Sequence, residues 1–237
     1  MHQITVEEIA IEIARKPIKN LHLRVYPTEG RVCVTAPFFV SDRQIQKRLE
    51  KKMPWIKRKL AQFAHLPKPS PILMISGEVH HLLGKPYTLQ VFEKERSPQT
   101  VTRSESTLSL CVKPLSTQDT RKKILDLFYK SEMSALLPAL LGKWEPIVGV
   151  KITRCAIKSM KTRWGSCMIR DRRISLNLEL MKRPLHCLEY VLVHELVHLH
   201  ERLHNDRFWG LMDRFMPHWR QCREELNQSH LETGNCS

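Results

Sequence analysis

The sequence of 237 residues predicts an α+β fold, and three observations support this prediction. Segments in which apolar and polar residues alternate, as is typical of strands, are concentrated in the first half of the chain. Longer segments with helical periodicity dominate the second half. The two kinds of segment do not alternate as βαβ units, which argues against a parallel α/β sheet. With 42% apolar and 27% charged residues, the composition is that of a folded globular protein.

The first predicted region, residues 1–66, combines strands with helix. Alternation runs through "ITVEEIAIEIA", and "NLHLRVYPTEGRVCVTAP" predicts two strands around a glycine turn. A helical segment begins at Ser41, with Gln44 three residues later at the spacing of a capping box. Pro54 predicts a break inside that segment, because proline cannot donate a backbone hydrogen bond. The proline-rich stretch at residues 65–71 predicts a linker.

Two further regions are predicted, residues 67–115 and 116–237, as separate domains or as parts of one continuous domain. The first is a strand-rich patch that contains "ILMISGEVHHLLGKPYTLQVFE" and "TLSLCVK". The second opens with a helix over residues 116–142 and continues with two strands, "KITRCAIK" and "RRISLNLEL", on either side of the turn-like "RWGSC". Two helices are expected to complete it, the last being "DRFWGLMDRFMPHWRQCREELN", capped by Asn205 or Asp206.

Charge and cysteine usage indicate a compartment and a class of partner. The seven cysteines are scattered and form no CxxC pair, which favours reduced thiols over a disulfide framework. The first twenty residues lack the apolar core of a signal peptide, and no apolar run is long enough to span a bilayer. We therefore expect a cytoplasmic protein without a membrane partner. The net charge of +15 favours anionic partners such as nucleic acid or nucleotides, or else is the basic surface of a soluble enzyme.

An H-E-x-x-H motif lies in the apolar helix predicted after Pro184. His194 and His198 are four residues apart, so they lie on one helical face, separated by about 40°. Two imidazoles on one face can bind a single zinc ion at about 2.0–2.1 Å. Glu195 is adjacent to the first histidine and can reach a metal-bound water as a general base.

A third ligand would complete a catalytic zinc site and leave one position open for water. The best candidate is His204, six residues after His198. Because six residues of continuous helix would rotate it by about 120° from the ligand face, the chain must turn between Leu199 and His204. His200 is expected to face solvent or to support the site. Downstream carboxylates are the alternatives for the third ligand: Asp206, Asp213, Glu224 and Glu225.

Four segments, read in order, extend the pattern beyond the helix: "MKTRWGSC", "ISLNLEL", "YVLVHELVHL" and "HNDRFW". With them the chain resembles the YgjP-like metallopeptidase family, which is related to the SprT and WLM groups of zincin-like proteases. "LRVYPTEGRVCVTAP" and "WIKRKL" extend the resemblance to the N-terminal region. It implies a zincin-like C-terminal domain whose active-site helix packs on a small β-sheet. It also implies one zinc ion per chain on His194, His198 and His204, with Glu195 as the catalytic base.

The expected activity is zinc-dependent hydrolysis of peptide bonds in peptide or protein substrates. Arg163, Lys161 and Asn177 are candidates for substrate binding, and "RRISLNLEL" is a candidate edge strand for holding an extended substrate. Two alternatives stay open. The same metal site could hydrolyse nucleoside triphosphates of the UTP type, since basic residues could hold the phosphates. The protein could also be a DNA-associated protease or a basic nucleic-acid-binding module.

Overall fold

In a computed structural model, residues 2–26, 30–64 and 72–233 are described. They contain six α-helices and eleven strands, and the predicted α+β fold is confirmed. The chain divides into two compact units, Met1–Ser70 with Asn227–Cys236 and Pro71–Leu226 with Ser237. The linker predicted at residues 65–71 lies outside the described residues. Within the described ranges, no helix combines the length and the apolar character that crossing a bilayer requires.

The first unit contains a four-stranded sheet of order β1-β2-β4-β3. Its elements are β1 (His2–Val6), β2 (Ile9–Arg15), β3 (His22–Val25), β4 (Val32–Ala36), α1 (Asp42–Glu50) and α2 (Met53–Ala64). The sequence suggested one alternating strand where the structure has the β1–β2 hairpin. Glu7 and Glu8 form its turn with φ angles of 45° and 69°, a left-handed conformation that ends the first strand. The β2–β4 pair is parallel, and the other two pairs are antiparallel.

The helical part of this unit matches its prediction. The side chain of Ser41 accepts a bond from the Gln44 backbone, and the Gln44 side chain accepts one from the Ser41 backbone. This is the predicted capping box. The predicted break separates α1 from α2, with Pro54 as the second residue of α2. Here the missing N–H of proline costs nothing, because the first turn of a helix leaves it unpaired anyway.

The second unit begins with another four-stranded sheet, of order β5-β6-β8-β7. Its strands are β5 (Val79–Leu82), β6 (Lys85–Glu93), β7 (Thr100–Arg103) and β8 (Thr107–Val112), and the helix α3 (Gln118–Val148) packs on it. The predicted end of this helix at residue 142 was too early. Gly142 continues the helix, and Gly149, with φ of 72°, ends it. Glycine is suited to that left-handed position because it has no Cβ.

A small three-stranded sheet, two helices and a third helix as far as Leu226 complete the second unit. They are β9 (Arg154–Lys158), β10 (Gly165–Met168), β11 (Arg173–Asn177), α4 (Leu185–Val197), α5 (Asp206–Phe215) and α6 (Trp219–Thr233). The sheet has the order β10-β11-β9, and α4 packs on β10 and β11. The single last helix of the prediction is two helices, α5 and α6. They are separated at Pro217, which restricts the preceding residue to an extended conformation.

Two predictions about the small sheet are wrong. The "RWGSC" segment is not simply a turn, because its last three residues begin β10, an edge strand. Conversely, β11, which contains most of the proposed substrate-binding strand "RRISLNLEL", is the central strand and is paired on both sides. Its backbone hydrogen bonds are therefore used within the sheet. Among the described strands, β10 is the one that presents a free edge beside α4.

The helix α4 lies in the core of the second unit. Nine of its thirteen residues are buried: Cys187, Leu188, Tyr190, Val191, Leu192, Val193, Glu195, Leu196 and Val197. Such a helix is held by apolar contacts on nearly every side, so the residues at its C-terminal end have well-defined positions. Free thiols in the described part of the chain include those of Cys111, Cys155, Cys167, Cys187 and Cys222.

Candidate active site

Three histidines converge where α4 ends. His194 lies in the last turn of α4, and His198 is the C-cap residue. The chain then turns, as the spacing required, before the side chain of Asn205 caps α5 by accepting a bond from the backbone of Phe208. This turn returns His204 to the helix end. The three ring centroids are 4.8–4.9 Å apart.

The nitrogen atoms of these rings face one another. One donor atom from each histidine lies within 4.8 Å of the other two, and Nε2 of His194 is 3.0 Å from Nε2 of His204. His198 donates its Nδ1–H to the carbonyl of Glu201 at 3.1 Å, which leaves its Nε2 lone pair free. Metal-binding histidines typically make such a bond with their second nitrogen. The donor set therefore fits a metal ion.

The electrostatics of the three rings favour the same conclusion. Burial lowers the pKa of His194 to about 3, and the neighbouring His198 and His204 contribute further. Burial also lowers the pKa of His198 and of His204. All three imidazoles are thus neutral at pH 7. A neutral imidazole has the free lone pair that metal coordination requires.

Glu195 lies beside the histidine cluster and is 5% exposed. Burial raises the pKa of its carboxyl group to about 8, and the charge of Arg163 acts in the opposite direction. A buried carboxyl with a raised pKa is typical of a group that exchanges protons near neutral pH. Its side chain lines the same cavity as the three histidines.

The cavity has a volume of about 620 Å³. One wall is the C-terminal half of α4, and another is β10 with the residues just before it. Arg202, in the turn after α4, completes the lining. A cavity of this size is typical of sites that hold small ligands or a few residues of a peptide.

Gly165 is the point at which β10 approaches α4 most closely. A Cβ atom at this position would lie 2.6 Å from Oε1 of Glu195 and 2.9 Å from its Cγ. It would also lie 2.9 Å from Cγ1 of Val191. These distances are shorter than carbon and oxygen atoms allow, so glycine is required for the carboxyl to occupy its observed place.

An aromatic stack supports His204. The Trp209 ring lies 5.5 Å from that of His204 at an interplanar angle of 20°, and its Nε1 donates to the His204 carbonyl at 3.1 Å. Trp209 in turn stacks on Trp219 at 4.6 Å, and Trp219 donates to Asp213 at 2.8 Å. The sequence assigned Trp209 to the core only. Its role beside His204 was missed, because the stack depends on how α5 and α6 pack.

The structure brings together some of the predicted substrate-binding residues and not others. Arg163 lines the cavity, whereas Lys161 is exposed and is not part of its wall. Asn177 is 2% exposed, and its amide donates to the carbonyls of Met160 and Arg163. The prediction that Asn177 binds substrate is therefore wrong. Its amide is occupied in holding the segment that precedes β10.

The other candidate ligands are engaged elsewhere. Asp213 accepts bonds from Trp219 and Arg220, and Glu225 pairs with His186 at 2.6 Å. Neither these nor Asp206 and Glu224 are grouped with His194 and His198 among the described residues. His200 bonds the Val148 carbonyl at 2.8 Å, outside the cluster. Burial raises the pKa of the Cys167 thiol to about 11, so this cavity residue is protonated and a poor nucleophile.

Comparison with known proteins places this geometry in a family. A model of the YgjP-like metallopeptidase domain matches residues 19–229. Among solved structures, the crystal structure of the metallopeptidase zymogen of Pyrococcus abyssi abylysin is similar to this chain. The aligned region covers 42% of this chain and 96% of the abylysin chain. The sequence identity is 20% and the TM-score is 0.37. No curated protein matches the chain at a significant level.

Proposed function

The chain belongs to the YgjP-like metallopeptidase family, and we propose that it is a zinc-dependent peptidase whose metal ligands are His194, His198 and His204. One observation carries the proposal: three neutral imidazoles converge at the wall of a single cavity, directly beside a buried carboxyl group. A family of metallopeptidases implies a metal cofactor and a peptide or protein substrate. The imidazole donors favour zinc, which binds nitrogen ligands well.

Three protein ligands are the number found in catalytic zinc sites, whereas structural sites use four. When bound, a zinc ion supplies Lewis-acid activation of water and of the substrate carbonyl. The protein supplies the orientation of its ligands. The Glu201 carbonyl orients the ring of His198, and Trp209 packs against the ring of His204.

Glu195 is the proposed general base. Its carboxylate accepts a proton from the attacking water and then passes that proton to the amine of the leaving peptide. The carboxyl group lines the cavity beside the ligand histidines and is held against Gly165. Both steps need this fixed position, because a proton donor or acceptor must lie within hydrogen-bond reach of the reacting atoms.

The free edge of β10 is the proposed binding site for the substrate backbone. An extended peptide can add to such an edge as a further strand, with main-chain hydrogen bonds that do not depend on sequence. β10 forms a wall of the cavity, so this addition would bring a peptide bond next to Glu195. The central strand β11 cannot bind the substrate in this way, because both of its sides are paired.

The first test is metal content together with substrate range. Protein purified without added metal should contain about one zinc per chain, and a chelator should remove peptide cleavage that added zinc restores. Nucleoside triphosphates assayed beside casein-like substrates test the phosphohydrolase alternative. The peptidase proposal would be overturned if the unmodified protein released pyrophosphate but cleaved no peptide, and if His194→Ala abolished that release. A cytoplasmic location stays a prediction.

Gly165→Ala is expected to impair catalysis without removing the metal. The new methyl group must displace the side chains of Glu195 and Val191 or move β10 away from them. Since misplacement of a catalytic group by about 1 Å can cost about 100-fold, we expect kcat/KM to fall by about 10- to 100-fold. The measurement is peptide hydrolysis alongside zinc content, which should stay near that of the unmodified protein.

Gly142→Ala is the matched control for this substitution. Gly142 lies in α3, and a Cβ at this position would meet no atom within 4 Å. The same added methyl group should therefore leave activity unchanged. If Gly165→Ala has full activity, the close approach of β10 does not set the position of Glu195, and that part of the mechanism is wrong.

A further inference from the structure

Two arginines line the active-site cavity without a carboxylate partner. Arg163 lies just before β10, and Arg202 lies in the turn that carries His204. Both side chains are exposed, and neither guanidinium is within ion-pair distance of a carboxylate in the described part of the chain. Glu195 is the one carboxyl group among the lining residues, and it is buried. The accessible charge of the cavity is therefore positive.

β10 itself has no charged residue, but the chain on either side of it is basic, and Arg154, Lys158 and Arg173 of this segment line a separate cavity. Residues 151–173, which include β9 and β10, contain eight basic residues and a single acidic one: Lys151, Arg154, Lys158, Lys161, Arg163, Arg170, Arg172 and Arg173 against Asp171. Asp171 is itself paired with Arg173 at 2.6 Å. Arg163 precedes β10 and Arg170 follows it, so a cation lies near each end of its free edge.

We propose that Arg163 and Arg202 form an anion-binding subsite of the cavity, and that the enzyme selects peptides with Asp or Glu close to the bond that is cleaved. This inference rests on the proposed peptidase function. The four residues of β10 span about 13 Å, so a substrate strand paired with them would be flanked by cations at either end. Guanidinium groups match carboxylates well, because two of their N–H groups can bond both oxygens.

Charge in the cavity also disfavours the opposite class of substrate. A peptide with Lys or Arg beside the cleaved bond would bring like charges together in a cleft that has no exposed carboxylate among its described lining residues. Extended backbone pairing along β10 favours a peptide over a nucleic acid, because a nucleic acid has no backbone amides for a strand edge to bond. Arg163 and Arg202 therefore distinguish acidic from basic peptides, whereas the edge of β10 binds the backbone of any extended peptide.

Binding of uncleaved peptides tests the proposal directly. The protein is the full chain with Glu195→Gln, loaded with zinc, and the ligands are three labelled peptides with one core sequence and Asp, Asn or Lys flanks. We expect the acidic peptide to bind about tenfold more tightly than the neutral one, since each exposed ion pair contributes up to about fivefold. The basic peptide should bind most weakly. This order should weaken as salt is raised from about 0.05 M to 0.5 M.

Charge reversal identifies the residues responsible. Arg202→Glu should reduce or invert the preference for the acidic peptide, and Arg202→Gln should abolish it without inversion. The control is Lys130→Glu, which makes the same change of net charge on the exposed surface of α3 and should leave the preference intact. Zinc content and circular dichroism establish that each variant is folded and loaded.

The outcomes separate this inference from the function on which it rests. Equal affinity for all three peptides, together with cleavage of the neutral peptide by the unmodified protein, overturns the subsite and leaves the peptidase intact. Displacement of every peptide by an oligonucleotide, without an acidic preference, overturns it in favour of nucleic-acid binding. Failure to bind or cleave any peptide overturns both.

Discussion

Replacing Glu195 with glutamine is expected to lower kcat/KM for peptide hydrolysis by about 100- to 10,000-fold, the usual contribution of a general base. Glutamine has nearly the same shape, so it should fit between α4 and Gly165, but its amide cannot accept the proton of the attacking water. Because the three histidines alone form the ligand group at this site among the described residues, zinc content should stay at about one ion per chain. Peptide cleavage and metal analysis on the same preparation test both expectations.

Glu189→Gln is the matched control, because it makes the same substitution on the same helix. Glu189 pairs with Lys143 at 3.0 Å and does not line the cavity. This variant should lose at most a surface ion pair, worth about 1 kcal/mol or less, and keep its activity. If the Glu195 variant retained full turnover, Glu195 could not be the base. If it lost its zinc, the carboxylate would have to be reassigned as a ligand.

The histidine cluster could be predicted from sequence because helical geometry is regular. A spacing of four residues places His194 and His198 on one face of any α-helix, whatever surrounds it. The same geometry required a turn before His204, and the structure has that turn. The residue that accepts the His198 hydrogen bond, Glu201, could not be predicted in that role, because it acts through its backbone carbonyl.

The strand beside the helix was harder to predict. β10 has only four residues and begins with glycine, so its pattern is too short to distinguish a strand from a turn. The pairing of β11 on both sides depends on β9, which is separated from it in sequence. The role of Asn177 could not be predicted from sequence either. A polar residue in a strand can face a site or support a loop, and the near-complete burial of Asn177 shows that it supports a loop.

The hairpin at the start of the chain was missed for a different reason. Apolar residues stand at even positions up to Val6 and at odd positions from Ile9, so the doubled glutamate shifts the alternation by a single residue. Glutamate also has no particular preference for the left-handed conformation that both residues adopt. A shift of one residue, without a typical turn residue at the site, does not distinguish a hairpin from one irregular strand, and the pairing of β1 with β2 decides between them.

His204→Ala is expected to have the second large effect, on metal binding first and on activity as a consequence. Loss of a residue that hydrogen-bonds to a metal ligand typically lowers metal affinity by about 10- to 100-fold. Loss of the ligand itself should lower the affinity for zinc further. The remaining pair, His194 and His198, would hold zinc with two protein ligands. Competition with a chelator of known affinity measures the change, and peptide cleavage measured at several zinc concentrations shows whether excess metal restores the activity.

His200→Ala separates ligation from any general effect of losing an imidazole near the end of α4. His200 lies between His198 and His204 in sequence, but its ring bonds the Val148 carbonyl and not the cluster. It should keep its zinc affinity, whereas His204→Ala should lose it. In His204→Ala, Trp209 loses the imidazole ring on which it stacks. It keeps its contact with the Arg223 guanidinium, which lies 5.1 Å from the Trp209 ring, so we expect Trp209 to stay in place. Unchanged zinc affinity in His204→Ala would mean that the three rings converge without sharing a metal, and the zinc peptidase assignment would then be wrong.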